Sequence, residues 1–369
     1  MKENIRESNF ELLRIISMFF IVLFHFIVPS GGNLINSTSG YIQMFFQFIS
    51  ILMIVHVNSF LLLTGYFQHD KKFKLKKVFD LVLMAWMYKV VIGLAFYFFS
   101  SNTYNSMELV TILSPLEFNN LWFLRLYLES YILSPYINIV IDKLNQKDHR
   151  KLIIILTILF SIIPTITNQR TFANNGFTIK HFVLMYIIGA YLSKYPLKEN
   201  IHFKNYSNRK TRWILIAIYM FMGIFNFLLY RFALNSLINS NSSIISEIGN
   251  LIVNATFYYE YPTILIQSLA FFLIFGTFKF KSKVVNAISG SVFAAYIITE
   301  MIYVRDYMYP RMGILKYHQA FDSSIIPKVL LYSIIIFIIC IVIELLRKLF
   351  IKLICKMYKG ITKTHKKLM

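Results

Sequence analysis

Residues 11–27 read ELLRIISMFFIVLFHFI. The stretch is almost wholly apolar, yet it carries Arg14 and His25. Eleven positions separate the two. At about 100° per residue a helix turns three times over that length and gains only about 20°. Both side chains therefore leave one face, about 16 Å apart along the axis. On the plain reading, Arg14 snorkels at the start of a helix and His25 packs near its end. On the functional reading, the two share a cavity. The rest of the chain has to decide between them.

Of the 369 residues, 57% are hydrophobic, including 36 Phe and 24 Tyr, and only 15% are charged. Soluble domains carry about 25% charged residues. The chain is therefore expected to be an all-α, polytopic membrane protein. Ten segments are long enough to span: 10–28, 43–66, 77–99, 121–141, 152–168, 178–193, 213–232, 256–276, 284–304 and 326–347. Backbone groups in lipid must pair internally, so each should be a helix. With the N-terminus inside, the inner loops and tails hold 28 Lys and Arg, against only Arg170, Arg305, Arg311 and Lys316 outside. That bias puts both termini in the cytoplasm. One multi-pass domain spans 1–369 in the plasma membrane, with a basic cytoplasmic tail over 348–369. The basic start "MKENIR" lacks a following cleavage site, so the first helix is expected to be retained. The net charge of +21 lies in short runs between apolar segments, which argues against a nucleic-acid partner. Cys340 and Cys355 exclude a disulfide framework, and no His/Cys cluster supports a metal site.

Charges within apolar spans are costly and mark candidate sites. Here they are Arg14, Lys89, Arg125, Glu129, Glu260 and Glu300, accompanied by His25 and His56. Nothing around Lys89 points beyond pairing inside the bundle, and Glu260 sits near an outer end where it can be wet. Arg125 and Glu129 are four apart and can pair on one helix. After Gly65, read as a tight helix exit, come Lys71, Lys72, Lys74, Lys76 and Lys77. They either anchor the chain at the inner face or form an anion site suited to phosphates. Trp122 fits an interfacial belt. Ser289, Gly290, Ser291, Ala294 and Ala295 suit close packing of a ninth span.

Together these residues resemble the acyltransferase-3 family. Arg14 and His25 match its signature of arginine, ten residues, histidine. "NSFLLLTGYF" resembles its second-helix ending. "LWFLRLYLESYILSPYI" is similar to its Trp…Tyr…Pro helix through Trp122, Tyr131 and Pro135. "SVFAAYIITEMIYVR" is similar to its late helix through Tyr296, Glu300 and Arg305. Two departures stand out: Thr299 replaces a usual His, and Tyr127 and Leu128 replace acidic residues.

The resemblance implies a membrane O-acyltransferase. It would move an acetyl or other short acyl group from cytoplasmic acyl-CoA to a hydroxyl of a cell-surface polysaccharide or its lipid-linked precursor. The donor is a substrate, and no permanent cofactor is implied. His25, Arg14, Glu129 and Glu300 are the implied catalytic set, with Glu129 or Glu300 orienting His25. Arg14, Lys71, Lys72, Lys74 and Lys76 would meet the acyl-CoA phosphates. Trp122, Tyr131, Tyr296 and Arg305 would meet the acceptor. The rival class is a transporter or flippase for a glycan precursor. It lacks the internal repeat such proteins often show.

Overall fold

The computed structural model describes residues 7–28, 33–99, 110, 112–114, 121–167, 174–196, 209–239, 242–301, 304–305 and 323–368. Arg170, Arg311 and Lys316, which entered the charge count, lie outside them. The main helices are α1 (Asn9–Ile27), α2 (Gly40–Met53), α3 (His56–Gln68), α4 (Leu75–Phe99), α5 (Trp122–Lys143) and α6 (Gln146–Thr157). They continue with α7 (Ile179–Lys194), α8 (Arg209–Asn239), α9 (Ser243–Ala255), α10 (Pro262–Gly276), α11 (Lys283–Ser289), α12 (Phe293–Glu300) and α13 (Ile325–Leu368).

Among the described residues, six helical stretches are long and apolar enough to cross a membrane, against the ten expected. They are Asn9–Ile27, Gly40–Gln68, Leu75–Phe99, Gln146–Thr167, Arg209–Leu237 and Ile325–Met357. Exposed side chains such as Val91, Phe98, Ile166, Phe221 and Ile338 suit a lipid-facing surface. The remaining expected spans are more polar, shorter or broken. The ninth is not one helix: it breaks at 290–292 into α11 and α12. The basic tail expected over 348–369 continues α13 as helix to Leu368.

Helix α1 is the central rod, packed against α2, α3, α10, α11, α12 and α13. Its basic end is clamped. The Ser8 amide donates to the Phe280 carbonyl (2.9 Å), and the Ser282 amide donates to Ser8 Oγ (2.8 Å). Asn9 Nδ2 donates to the Phe275 carbonyl (3.0 Å). The span 40–68 bends at Ile54–Val55, between α2 and α3. Ring nitrogen Nδ1 of His56 lies 2.7 Å from the Met53 carbonyl beside that bend. A proline inside a helix leaves an i−4 carbonyl without its amide. In α5 that carbonyl, on Tyr131, accepts instead from Ser134 Oγ at 2.7 Å.

Gly65 does not end a helix, because α3 continues to Gln68. It serves a crossing. A Cβ at Gly65 would land on the Tyr186 carbonyl of α7, and one at Gly189 would land on the Leu62 carbonyl of α3. Backbone cannot step aside as a side chain can, so either glycine-to-alanine change forces the helices apart. Gly65→Ala or Gly189→Ala is expected to cost about 1–3 kcal/mol. Thermal unfolding of the detergent-solubilised protein checks this, and an unchanged midpoint would refute the close crossing.

Candidate active site

Arg14 and His25 do share a face of α1. Arg14 is partly exposed and bonds Glu11, three residues earlier. It lines a cavity of about 920 Å³ at the clamped end of α1, together with Lys71, Lys77, Lys279, Tyr66 and Phe272. Four cations of three different chain regions thus converge on one space, which Glu7 and Glu11 only partly balance. Lys71 Nζ stands 5.4 Å from the Phe67 ring centroid, and Lys77 Nζ stands 4.4 Å from that of Tyr131. These contacts hold the lysine stems while their charge stays available.

Only part of the expected lysine set lines this cavity. Lys72, Lys74 and Lys76 are exposed and absent from its wall. Lys76 pairs instead with Asp80 at 3.0 Å. The helical phase of α4, which begins at Leu75, turns Lys77 inward and Lys76 outward. Tyr131 also sits at this basic end, where its hydroxyl accepts from the Lys74 amide at 3.2 Å. That position separates it from Trp122 by nine residues of helix, about 13 Å.

The cavity reaches Phe60 and Phe293. Tyr127 also lines it, and with Phe123 and Tyr296 beyond they form an aromatic cluster with centroid spacings of 5.6–6.4 Å. Then comes His25, whose Nδ1 lies 2.9 Å from Glu300 Oε1. The two side chains are 14% and 5% exposed. Neither atom has a well-aligned hydrogen bond among the described residues, not even to the other, so the contact is an imidazole–carboxylate pair of ion-pair distance. Helix α12 thus delivers Phe293 to the cavity and Glu300 to His25.

Glu129 is not at His25. It is half-exposed and faces Arg125 at 3.9 Å on the outside of α5. Tyr296 is 2% exposed, and its hydroxyl accepts from the Phe123 amide at 3.1 Å. It therefore supplies a missing N-terminal cap to α5, whose Leu121 offers none. Thr299, standing where the resembled pattern has His, donates to the Ala295 carbonyl of its own helix at 2.7 Å. Arg305 lies just past α12, its amide bonded to the Met301 carbonyl. Trp122 is partly exposed and stacks on Tyr259, centroids 5.9 Å apart at 26°.

Several neighbours have no role assigned from the sequence, where His56 is named only as a titratable companion of the charges in the spans. His56 Nε2 lies 3.4 Å from the Tyr259 hydroxyl. Asn58 Nδ2 donates to the Tyr259 carbonyl (2.9 Å) and to Ser268 Oγ (3.1 Å), while its Oδ1 sits 2.7 Å from His181 Nε2. Ser17 lies on α1 between Arg14 and His25, buried and without a hydrogen-bond partner among the described residues. Lys279 was visible only as one more inner-loop cation.

Residues 7–345 match the family model described as "Acyltransferase domain", that of acyltransferase family 3. No curated protein and no solved structure matches the chain.

Proposed function

Since the chain belongs to the acyltransferase-3 family, and so is a membrane acyltransferase, we propose that it O-acylates a glycan. It moves an acetyl or other short acyl group from cytoplasmic acyl-CoA to a hydroxyl of a cell-surface polysaccharide or its lipid-linked precursor. The observation that carries this reading is the arrangement along α1. A basic cavity lies at one end and an imidazole–carboxylate pair at the other, on one helix face. The donor's phosphates meet Arg14, Lys71, Lys77 and Lys279 at the cytoplasmic side. Its slender arm follows α1 for about 16 Å toward His25. Both chain termini then lie in the cytoplasm, in keeping with the Lys/Arg bias.

In this mechanism Glu300 holds Nδ1 of His25, leaving Nε2 to take the proton of the acceptor hydroxyl. The hydroxyl oxygen attacks the thioester carbonyl carbon. The C–S bond of the tetrahedral intermediate then breaks, and the CoA thiolate recovers the proton from Nε2. The products are the O-acyl ester and free CoA. Membranes carrying the protein should incorporate label from radiolabelled acetyl-CoA into glycan. Label that stays wholly in the donor would reject the reading and favour a transporter.

The cavity also yields a contrast between lysines. Neutralising Lys71, Lys77 and Lys279 together is expected to raise the KM for acyl-CoA about tenfold, or about 1.4 kcal/mol. Neutralising Lys72, Lys74 and Lys76 should change it less than about twofold, as expected for exposed charges outside the cavity wall. Raising salt should mimic the first set in part, since screening acts over about 10 Å at 0.1 M. Equal effects from the two sets would place the donor elsewhere.

A further inference from the structure

The basic cavity stops short of the imidazole it is aligned with. Phe60, Tyr127 and Phe293 stand at its inner end, while His25 and Glu300 are absent from its wall. With Phe123 these three rings form a closed tetrad. Each of the six pairs among them has ring centroids 5.7–6.4 Å apart. Such spacings are those of packed aromatic pairs. Phe60, Phe123 and Tyr127 are buried, and Phe293 is partly exposed.

Three helices build the tetrad at one level. On α3, Phe60, Thr64 and Phe67 line the cavity in successive turns, and Phe60 is the deepest. One turn further in, His56 packs 5.2 Å from Phe24, the residue before His25. On α5, Tyr127 lines the cavity, and Phe123, one turn further in, does not. On α12, Phe293 and Glu300 fall on one face, because seven residues make two turns to within about 20°. Phe293 thus meets the cavity about 10 Å along the axis before Glu300 meets His25. The face of α1 between Arg14 and His25 is filled as well, by the buried side chains of Met18 and Ile21.

A plug of packed rings stays dry, since apolar surroundings offer water no partners. That dryness bears on the chemistry, because excluding water suppresses side reactions of an activated donor. A base that takes a proton from an acceptor hydroxyl can take one from water. The water oxygen would attack the thioester carbonyl carbon, the C–S bond would break, and the thiolate would recover the proton. A carboxylic acid and free CoA would leave, and the donor would be spent without acylating anything. We propose that the Phe60–Phe123–Tyr127–Phe293 tetrad is a seal that keeps bulk water in the cavity away from His25, and so selects the acceptor hydroxyl over water. The donor arm parts the rings and takes their place while it is bound. Phe293 is the ring that yields: it is the partly exposed member, and it opens the short helix α12 directly after the break at 290–292. That the seal guards acyl transfer rests on the reading above; that it separates the cavity from His25 does not.

The experiment uses the full chain in sealed membrane vesicles of both orientations, with Cys340 and Cys355 changed to Ala so that an introduced thiol is alone. The probe is sulfonatoethyl methanethiosulfonate, a membrane-impermeant anion that suits a basic cavity. Thr64→Cys, on the cavity wall, identifies the vesicles whose outer face opens to the cavity. In these, the thiol of His25→Cys should react about tenfold more slowly than that of Thr64→Cys, or slower still. Adding Phe293→Ala should speed the reaction at position 25 about tenfold and leave that at position 64 within about twofold. Phe293→Leu, which loses the ring but keeps more of the packing, decides if Phe293→Ala fails to fold by size-exclusion profile. In chains that keep His25, the same change should raise acetate release from acetyl-CoA, without acceptor, about tenfold. A thiol at 64 that reacts in neither orientation, equal rates at 25 and 64 in the parent, or an unchanged rate at 25 in the folded variants overturns the proposal. So does faster access without added hydrolysis in membranes that transfer acetyl label. Faster access at 25 in a chain that transfers no label leaves the seal standing and rejects the acyl-transfer reading, so the two failures are distinct.

Discussion

Replacing His25 by alanine is expected to reduce acyl transfer by about a hundredfold to ten-thousandfold, the range general-base catalysis supplies. A hydroxyl is a weak nucleophile until its proton has somewhere to go. Among the described residues, His25 is the imidazole that shares a face of α1 with Arg14 and is paired with a carboxylate. The change removes a side chain that is 14% exposed at one end of the helix, so the protein should still fold. His25→Gln, which keeps much of the volume, should be as inactive as His25→Ala. Initial rates of label transfer in membranes, normalised to the amount of folded protein, check this. A variant retaining more than a tenth of the parent activity would remove His25 from the mechanism.

Glu300→Gln is expected to lower kcat about a hundredfold while leaving the KM for acyl-CoA within about twofold. In the proposed mechanism the carboxylate 2.9 Å from Nδ1 holds the ring's orientation and stabilises the charge that develops on it as the hydroxyl gives up its proton. An amide of the same shape can do neither well. Groups acting as one unit are not additive. Glu300→Gln should therefore cost little more once His25 is already alanine. A full additional hundredfold loss in that double variant would show that Glu300 works independently of His25. Glu129→Gln supplies the comparison: this half-exposed carboxylate pairs with Arg125 and should lose less than about threefold.

Glu129 and Glu300 show where the sequence is legible and where it is not. Both are acids in apolar stretches, and either could serve His25 on paper. The Arg125–Glu129 pairing is local, so its i, i+4 spacing announces it. The His25–Glu300 contact joins residues 275 positions apart and depends on how α1 and α12 pack, which no spacing encodes. The shared face of Arg14 and His25 was readable because one helix period fixes it. The lysine cluster was readable as a cluster. Which of its members turn inward depends on where α4 starts, and the chain from 69 to 74 sets that without a periodic signal.

Helix breaks were hidden for a related reason. "AISGSVFAAYIIT" is continuously small or apolar, so composition shows one span where the chain makes two short helices. Gly65 was visible as a glycine, but its use lies in a partner backbone on α7. The four expected spans that fall short as membrane-crossing helices include the elements that carry Trp122, His181 and Glu300. They fall short by length, by a break or by polarity, and the polar side chains they carry are what equip the interior with chemistry.

Helix α1 is gripped at both ends, by Phe275, Phe280 and Ser282 around Ser8 and Asn9, and by Glu300 at His25. A rod so held is a gauge of fixed length. On the proposed reading it rules off the distance between the anchored end of the donor and its reactive bond, at about 1.5 Å per residue. Inserting one residue between Arg14 and His25 would swing the imidazole by about 100° and off the shared face. Inserting eleven would restore the face but demand a donor arm about 16 Å longer. If the donor lies along α1 as proposed, the eleven-residue interval is a molecular measure of the substrate, written into the chain as a count.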